Sequence, residues 1–183
     1  MTDTTTPAPT YAQSHRKVIQ NYKKTFRHYL LTSRFNTATW SENQRYRQQH
    51  PAIGCVYCCP DGISQTIPID SIIFILEMDN DNNKILGIGM VRNKPANKKH
   101  FVYENGNYNR YVYVGNTRID RSDMTEEEDT IMRVFDILCF TGNRHMKRGQ
   151  GLKSFPIDML YNCSKRIDLV SFITDMFKRR LQA

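Results

Sequence analysis

Long apolar runs are missing from this chain. None approaches the roughly 20 residues that a membrane-spanning helix requires, so no bilayer span is expected. The opening MTDTTTPAPTYAQ is polar and carries no hydrophobic stretch of the kind that directs secretion, which points to an intracellular, non-secreted protein. An even cysteine count is also missing: the five present are an odd number, which without a secretion signal fits free thiols in a reducing setting better than a disulfide framework. Tryptophan occurs once, at Trp40. No P-loop, dinucleotide fingerprint or nucleophile signature is present.

Metal ligands are equally thin. Cys55 and Cys58 in CVYCC have ligand spacing, with His50 upstream, but structural zinc asks for two close pairs. Cys139, His145 and Cys163 stand apart, and on a strand Cys55 and Cys58 point to opposite faces. Asp79-Asn-Asp81-Asn-Asn83 imitates the start of a calcium loop, yet Lys84 replaces the required glycine and no closing Glu follows. The sequence therefore calls for no metal and no cofactor, and that acidic run reads as a hairpin turn.

Carboxylates are wholly missing from Cys139 to Phe155, CFTGNRHMKRGQGLKSF, the stretch around which the rest is organised. It sets Arg144, His145, Lys147, Arg148 and Lys153 among Gly142, Gly149 and Gly151. Glycine lets main chain approach a ligand closely, so basic side chains on such a loop can wrap an anion, phosphate above all. A solvated basic connector is the plainer alternative.

Lys and Arg outnumber Asp and Glu by 26 to 18 in 183 residues, giving +8 and a pI near 9.3. That balance favours polyanions, nucleic acid first and an anionic membrane surface second. The charge is uneven. Eight basic residues stand against Asp3 and Glu42 in residues 1–50, and Lys178-Arg179-Arg180 lies near the C-terminus. Six carboxylates gather in Asp120–Asp129, most simply at a helix start. Converging basic segments would make a footprint; scattered ones would only keep the protein soluble.

Along the chain, residues 1–12 are expected to be a disordered tail, and 13–183 a single α+β domain. Val18, Tyr22, Phe26, Tyr29 and Leu30 predict a basic amphipathic helix over 14–35, and Ser41 with Gln44 the start of a second that ends before Pro51. A β-rich core follows over 53–119: a strand at 54–59, an extended piece at 63–69, and the hairpin SIIFILEM-DNDNN-KILGIGMV. Gly87 and Gly89 in its second arm permit a bulge, a tight bend or a close ligand approach. A second hairpin is expected over 100–114, in which Arg110, Tyr111 and Tyr113 offer a surface for stacking bases unless the tyrosines face the core. Thr125 with Glu128 caps a helix ending near Phe140, Phe155-Pro-Ile begins an extended segment, and 166–181 forms the last helix.

The runs IIFILEMDNDNNKILGIGMVRN, RYVYVGNTRIDRSDMTEEE and CFTGNRHMKRGQGL resemble an uncharacterised family of small basic proteins from nucleocytoplasmic large DNA viruses, over residues 40–180. The order of the FILEM and ILGIG strands is also similar to PUA-like domains of the EVE and YTH type. That likeness implies a small twisted mixed sheet or half-open barrel flanked by helices, binding RNA or modified bases. Readers of modified bases use a Trp-rich aromatic cage; here Tyr57, Tyr103 or Tyr113 would have to supplement Trp40. The viral resemblance implies a host cytoplasm, nucleus, virus factory or virion as the setting, and viral protein partners.

Three functions follow as expectations. The first is a non-enzymatic module for RNA or single-stranded DNA, with phosphate contacts from Arg144, His145, Lys147, Arg148 and Lys153 and stacking from Tyr111 and Tyr113. The second is a structural protein of a virion or virus factory. The third is a phosphodiester-processing enzyme using His145, with Glu77 and Asp79 as further candidates.

Overall fold

The computed structural model describes residues 11–182. The tail expected over 1–12 lies outside the described residues up to position 10, and Tyr11 already belongs to a helix. The described chain is α+β. Its elements are α1 (Tyr11–Lys24), β1 (Tyr29–Phe35), α2 (Thr37–Gln49), β2 (Cys55–Cys59), β3 (Ile72–Asp79), β4 (Lys84–Arg92), β5 (Tyr111–Gly115), β6 (Thr117–Asp120), α3 (Glu126–Phe140), β7 (Lys153–Ser154), α4 (Ile157–Ser164) and α5 (Leu169–Gln182).

β3 is the spine. Its apolar run Ile72–Leu76 is covered on both faces, as a central strand must be. The main sheet runs β6-β4-β3-β1-β7, with β1 parallel to β3 and the other pairs antiparallel. β2 and β5 form a separate antiparallel ribbon, so among the described residues the strands make two sheets and no closed barrel.

Period-two alternation sorts the core into layers. Phe74, Leu76 and Met78 of β3 meet Met132, Phe135, Ile173 and Phe177 of the helices on one face. Ile73 and Ile75 meet Tyr57, Cys59 and Tyr113 of the ribbon on the other. The outer side of the ribbon carries Val56, Cys58 and Val112 under Tyr46, Val102 and Tyr103. Each fully buried large apolar side chain contributes about 1.5–3 kcal/mol, so two apolar interfaces on one strand anchor the fold.

Several expectations are corrected. The helix over 14–35 stops at Lys24, and Tyr29–Phe35 is a strand, because β3 supplies a ladder along its whole length. The second helix is capped by Asn36 and Thr39, upstream of the Ser41–Gln44 pattern. Residues 63–69 form turns. The hairpin over 100–114 does not form: Gly106–Asn109 is a short 3-10 turn, and β5 pairs with β2. Phe155-Pro-Ile leads into α4, with Pro156 at the N-cap. The 72–91 hairpin, the Thr125–Glu128 capping box and a final helix from Leu169 stand as expected.

Gly87 and Gly89 have structural roles. The register slips by one residue between Glu77 and Met78, and the bulge falls in β4 beside Gly87. A methyl group on Gly89 would overlap the Tyr57 hydroxyl. The close approach belongs to a side chain of the ribbon.

Candidate functional site

The glycine loop lies at an open edge of the main sheet. β7 pairs with β1 only at Leu31 and Thr32, so the last residues of β1 have no strand on that side. Phe155 N–H donates to Leu30 O along this edge, and alternation turns the Arg34 main chain to the same side. Here the loop runs beside the strand end, reached by the Arg34 side chain. Gly149 and Gly151 have φ of +109° and +63°, values that L side chains rarely adopt, which explains why glycine stands at both. A methyl at Gly151 would come within 2.6 Å of Cys59 Cβ, so the loop also seats tightly against β2.

Between loop, strand end and helix is a cavity of about 170 Å³. Arg34, Asn36, Thr39, Asn80, Gly149 and Gly151 contribute to its walls, and no carboxylate lines it. Arg34 Nε donates to Met146 O at 2.5 Å, whereas its Nη1 is buried without a hydrogen-bond partner. Burial lowers the Arg34 pKa, and among the described residues no carboxylate pairs with it. A half-buried cation with no counter-ion carries a desolvation cost, which an anion in the cavity would offset. Asn80 Nδ2 ties the loop down at Lys147 O, 3.0 Å away, while the buried Asn80 Oδ1 is unpartnered. Tyr103 and Tyr108, rings 6.2 Å apart and edge to face, close another side.

The expected contact residues divide. Gly149 stands between two cations: a methyl there would come within 4.0 Å of Arg34 Cζ and 3.8 Å of Lys153 Cε. Arg148 and Lys153 are exposed and free of ion pairs among the described residues. Lys147 is half-buried near Asp81, and Asp81, which accepts hydrogen bonds from Thr37, has its pKa lowered by those bonds first and by Lys147 last. Arg144 is exposed but paired with Asp158 at 2.7 Å. His145 Nδ1 is buried and unpartnered, and the residue does not line the cavity.

Arg110 is exposed and Tyr111 is 37% exposed, on the β5 residue opposite Cys59. Tyr113 is 2% exposed and offers no stacking face; its hydroxyl accepts from Ile63 N–H. Both faces of β5 are packed, so the choice posed between tyrosines and valines has no single answer. The supplementary cage is corrected likewise: Tyr57 and Tyr113 are buried, and the Trp40 ring lies between the guanidinium groups of Arg47 and Arg118, 5.2 and 5.4 Å away.

Other charges are committed elsewhere. Glu77, 1% exposed, accepts from Tyr57 Oη at 2.7 Å and from the Arg118 guanidinium at 2.7–3.0 Å, so this carboxylate is a buried structural counter-ion. Burial opposes the Arg118 charge, but Glu77 and Asp120 more than offset it and raise the pKa. Asp79 accepts from Asp81 N and Asn82 N, closing the hairpin turn. Arg179 and Arg180 pair with Glu128, Lys178 with Asp175, and Arg121 with Asp129 and Asp136. The basic C-terminal turn is thus bound to the acidic block. Cys55 and Cys58 lie in different clusters on opposite faces of β2, as their spacing on a strand requires.

Comparison with known proteins found no matching family model and no significant match among curated proteins or solved structures. The geometry therefore carries the functional argument. Sequence reading does not single out Arg34 and Asn80, the two cavity-lining residues with unsatisfied polar atoms. On a helix over 14–35 Arg34 is one more cation of a basic face, and its one distinguishing signal, a cation inside YLLTSRF, becomes legible only once that segment is a strand. No helix among the described residues is long and apolar enough to cross a membrane.

Proposed function

We propose that this protein is a non-enzymatic nucleic-acid-binding module that holds single-stranded RNA or DNA along the β7 edge of its main sheet. The carrying observation is the sorting of cations. Those of α3, α5 and β6 are tied to carboxylates, whereas Arg34 and Lys153 both lie close to Gly149 beside the exposed Arg148, and no acid lines the cavity there. Lys23 of α1 shares the adjoining groove with Ser154, extending the basic path past β7. Backbone phosphates are the polyanion such a path suits. Placing the sheet with PUA-like folds belongs to the same proposal and rests on the sequence likeness of β3 and β4.

Titration of labelled single- and double-stranded RNA and DNA at several salt concentrations tests this. Each neutralised phosphate of a single strand contributes about −0.7 to the slope of log K against log salt, so contacts from Lys23, Arg148 and Lys153 give roughly −2. Reversing Arg148 and Lys153 together to Glu is expected to weaken binding more than tenfold for every sequence; reversing Arg144, already engaged by Asp158, costs less. Negligible binding of all four nucleic acids at moderate salt sinks the reading.

A further inference from the structure

We infer that the cavity under the glycine loop binds a phosphate monoester dianion, presented by the terminus of the bound strand. The inference rests on the nucleic-acid reading for its occupant, and on the cavity itself for its chemistry. Internal phosphodiesters carry one negative charge and lie between two sugars, so the exposed Arg148 and Lys153 suffice for them. A terminal monoester carries up to two charges and is small enough to enter a recess.

Four features of the recess match such an end. Arg34 brings a guanidinium without a counter-ion, and its planar fork suits phosphate oxygens better than a lysine would. Asn36 lines the recess with its side-chain amide, whose oxygen serves the α2 cap while its N–H groups remain as donors. Every lining residue is neutral or positive, so nothing inside repels a dianion. Lys153 does not line the recess but lies beside Gly149, within reach of the next phosphate of a strand.

The remaining wall selects the kind of ester. Tyr103 and Tyr108 add aromatic surface to the lining, which suits the sugar or base that follows a terminal phosphate. At about 170 Å³ the cavity is close to the size that admits one small ring, ~150 Å³, so the phosphate enters it and the sugar and base stay at its mouth. A free mononucleotide carries the same chemistry, and the test separates the two sources.

The experiment compares one single-stranded oligonucleotide in three forms, 5′-phosphorylated, 3′-phosphorylated and with hydroxyls at both ends, alongside AMP and inorganic phosphate. Affinities are measured by anisotropy, with the small anions as competitors, for the native chain, Arg34→Gln and Gln150→Glu. The expected result is at least tenfold tighter binding of one phosphorylated form, a preference lost in Arg34→Gln, while the hydroxyl form weakens far less, by no more than the loss of one cation costs any strand. Gln150→Glu sets a carboxylate at the exposed mouth without touching the core, so it weakens the phosphorylated form several-fold even if Arg34→Gln proves poorly folded.

Equal affinity for all three forms, with no competition by AMP or phosphate, overturns the inference and leaves the nucleic-acid reading standing. Binding of AMP lost in Arg34→Gln, with no strand bound, supports the pocket chemistry with a free nucleotide as its source and sinks the nucleic-acid reading. Competition by inorganic phosphate as strong as by the phosphorylated strand removes the strand terminus as the preferred occupant.

Discussion

Arg180 Nη2 donates to Glu128 Oε2 at 2.6 Å, fastening the last helix to the capping box of α3. The same carboxylate accepts from Arg179 and from the Thr125 main chain, and it is 1% exposed. One residue therefore closes a helix N-terminus, as Thr125 and Glu128 predict locally, and also joins two helices that the sequence keeps far apart.

This junction makes stability depend on acid in a defined direction. The Arg180 hydrogen bond, aided by Thr125 and Arg179 against the cost of burial, holds the Glu128 carboxyl at about 2. An unfolded glutamate titrates near ~4.3, so the folded state binds fewer protons between these values. The contribution is full above the unfolded pKa and is lost as pH falls through about 2; it is on the order of 2–3 kcal/mol. Glu128→Gln is expected to lower the melting temperature by several degrees at pH 7 and hardly at all near pH 2. Calorimetry of both proteins across that range checks it, and a gap independent of pH refutes the assignment.

Gly89 and Tyr57 are coupled by contact. A methyl group at position 89 meets Tyr57 Oη and Cζ and lies 2.8 Å from Cys55 Sγ, in a ribbon-to-sheet interface with no slack. Gly89→Ala is expected to cost roughly 1–3 kcal/mol by overpacking. Tyr57→Phe removes one donor from Glu77 while the Arg118 fork remains, for about 1–3 kcal/mol. The double variant should be less destabilised than the sum, because the Phe ring frees the space the methyl enters. Denaturant midpoints of the four proteins measure the coupling, and strict additivity would show that the contact carries none.

Local signals explain which parts of this fold were readable. The β3–β4 hairpin carries its own turn, where Asp79 satisfies two main-chain N–H groups, and α3 carries its own cap, so both are legible from a few adjacent residues. β1 carries no comparable signal. Tyr29 and Leu30 continue the helical spacing of α1, and what makes Tyr29–Phe35 a strand is β3, which lies more than 40 residues downstream. That misreading also hid the site, since a helical Arg34 is one more solvated cation, whereas a strand-end Arg34 is half-buried with its Nη1 shielded from water. The loop's glycines and missing acids are legible in the sequence, but which of its cations are free depends on Asp158 and Asp81, and spacing gives no hint of either contact.

The thiols provide a test of the layered core that needs no ligand. Cys55, Cys58, Cys59 and Cys139 are buried, and burial is the first cause raising each pKa, to about 12 for Cys55, about 11 for Cys59 and about 12 for Cys139. Cys163, in α4, is only half-buried, and its pKa is also raised by burial. Thiolate is the nucleophile, so access and ionisation act together and favour Cys163. A thiol reagent at neutral pH is expected to modify one cysteine per native chain, at Cys163, slowly and faster as pH rises. Native Cys163→Ser should be nearly inert, with the other four thiols reacting once denaturant unfolds the chain. Rapid labelling of Cys58 or Cys59 in the native state would mean that the ribbon β2–β5 opens away from the sheet, and with it the wall of the cavity that Cys58 shares with Arg34.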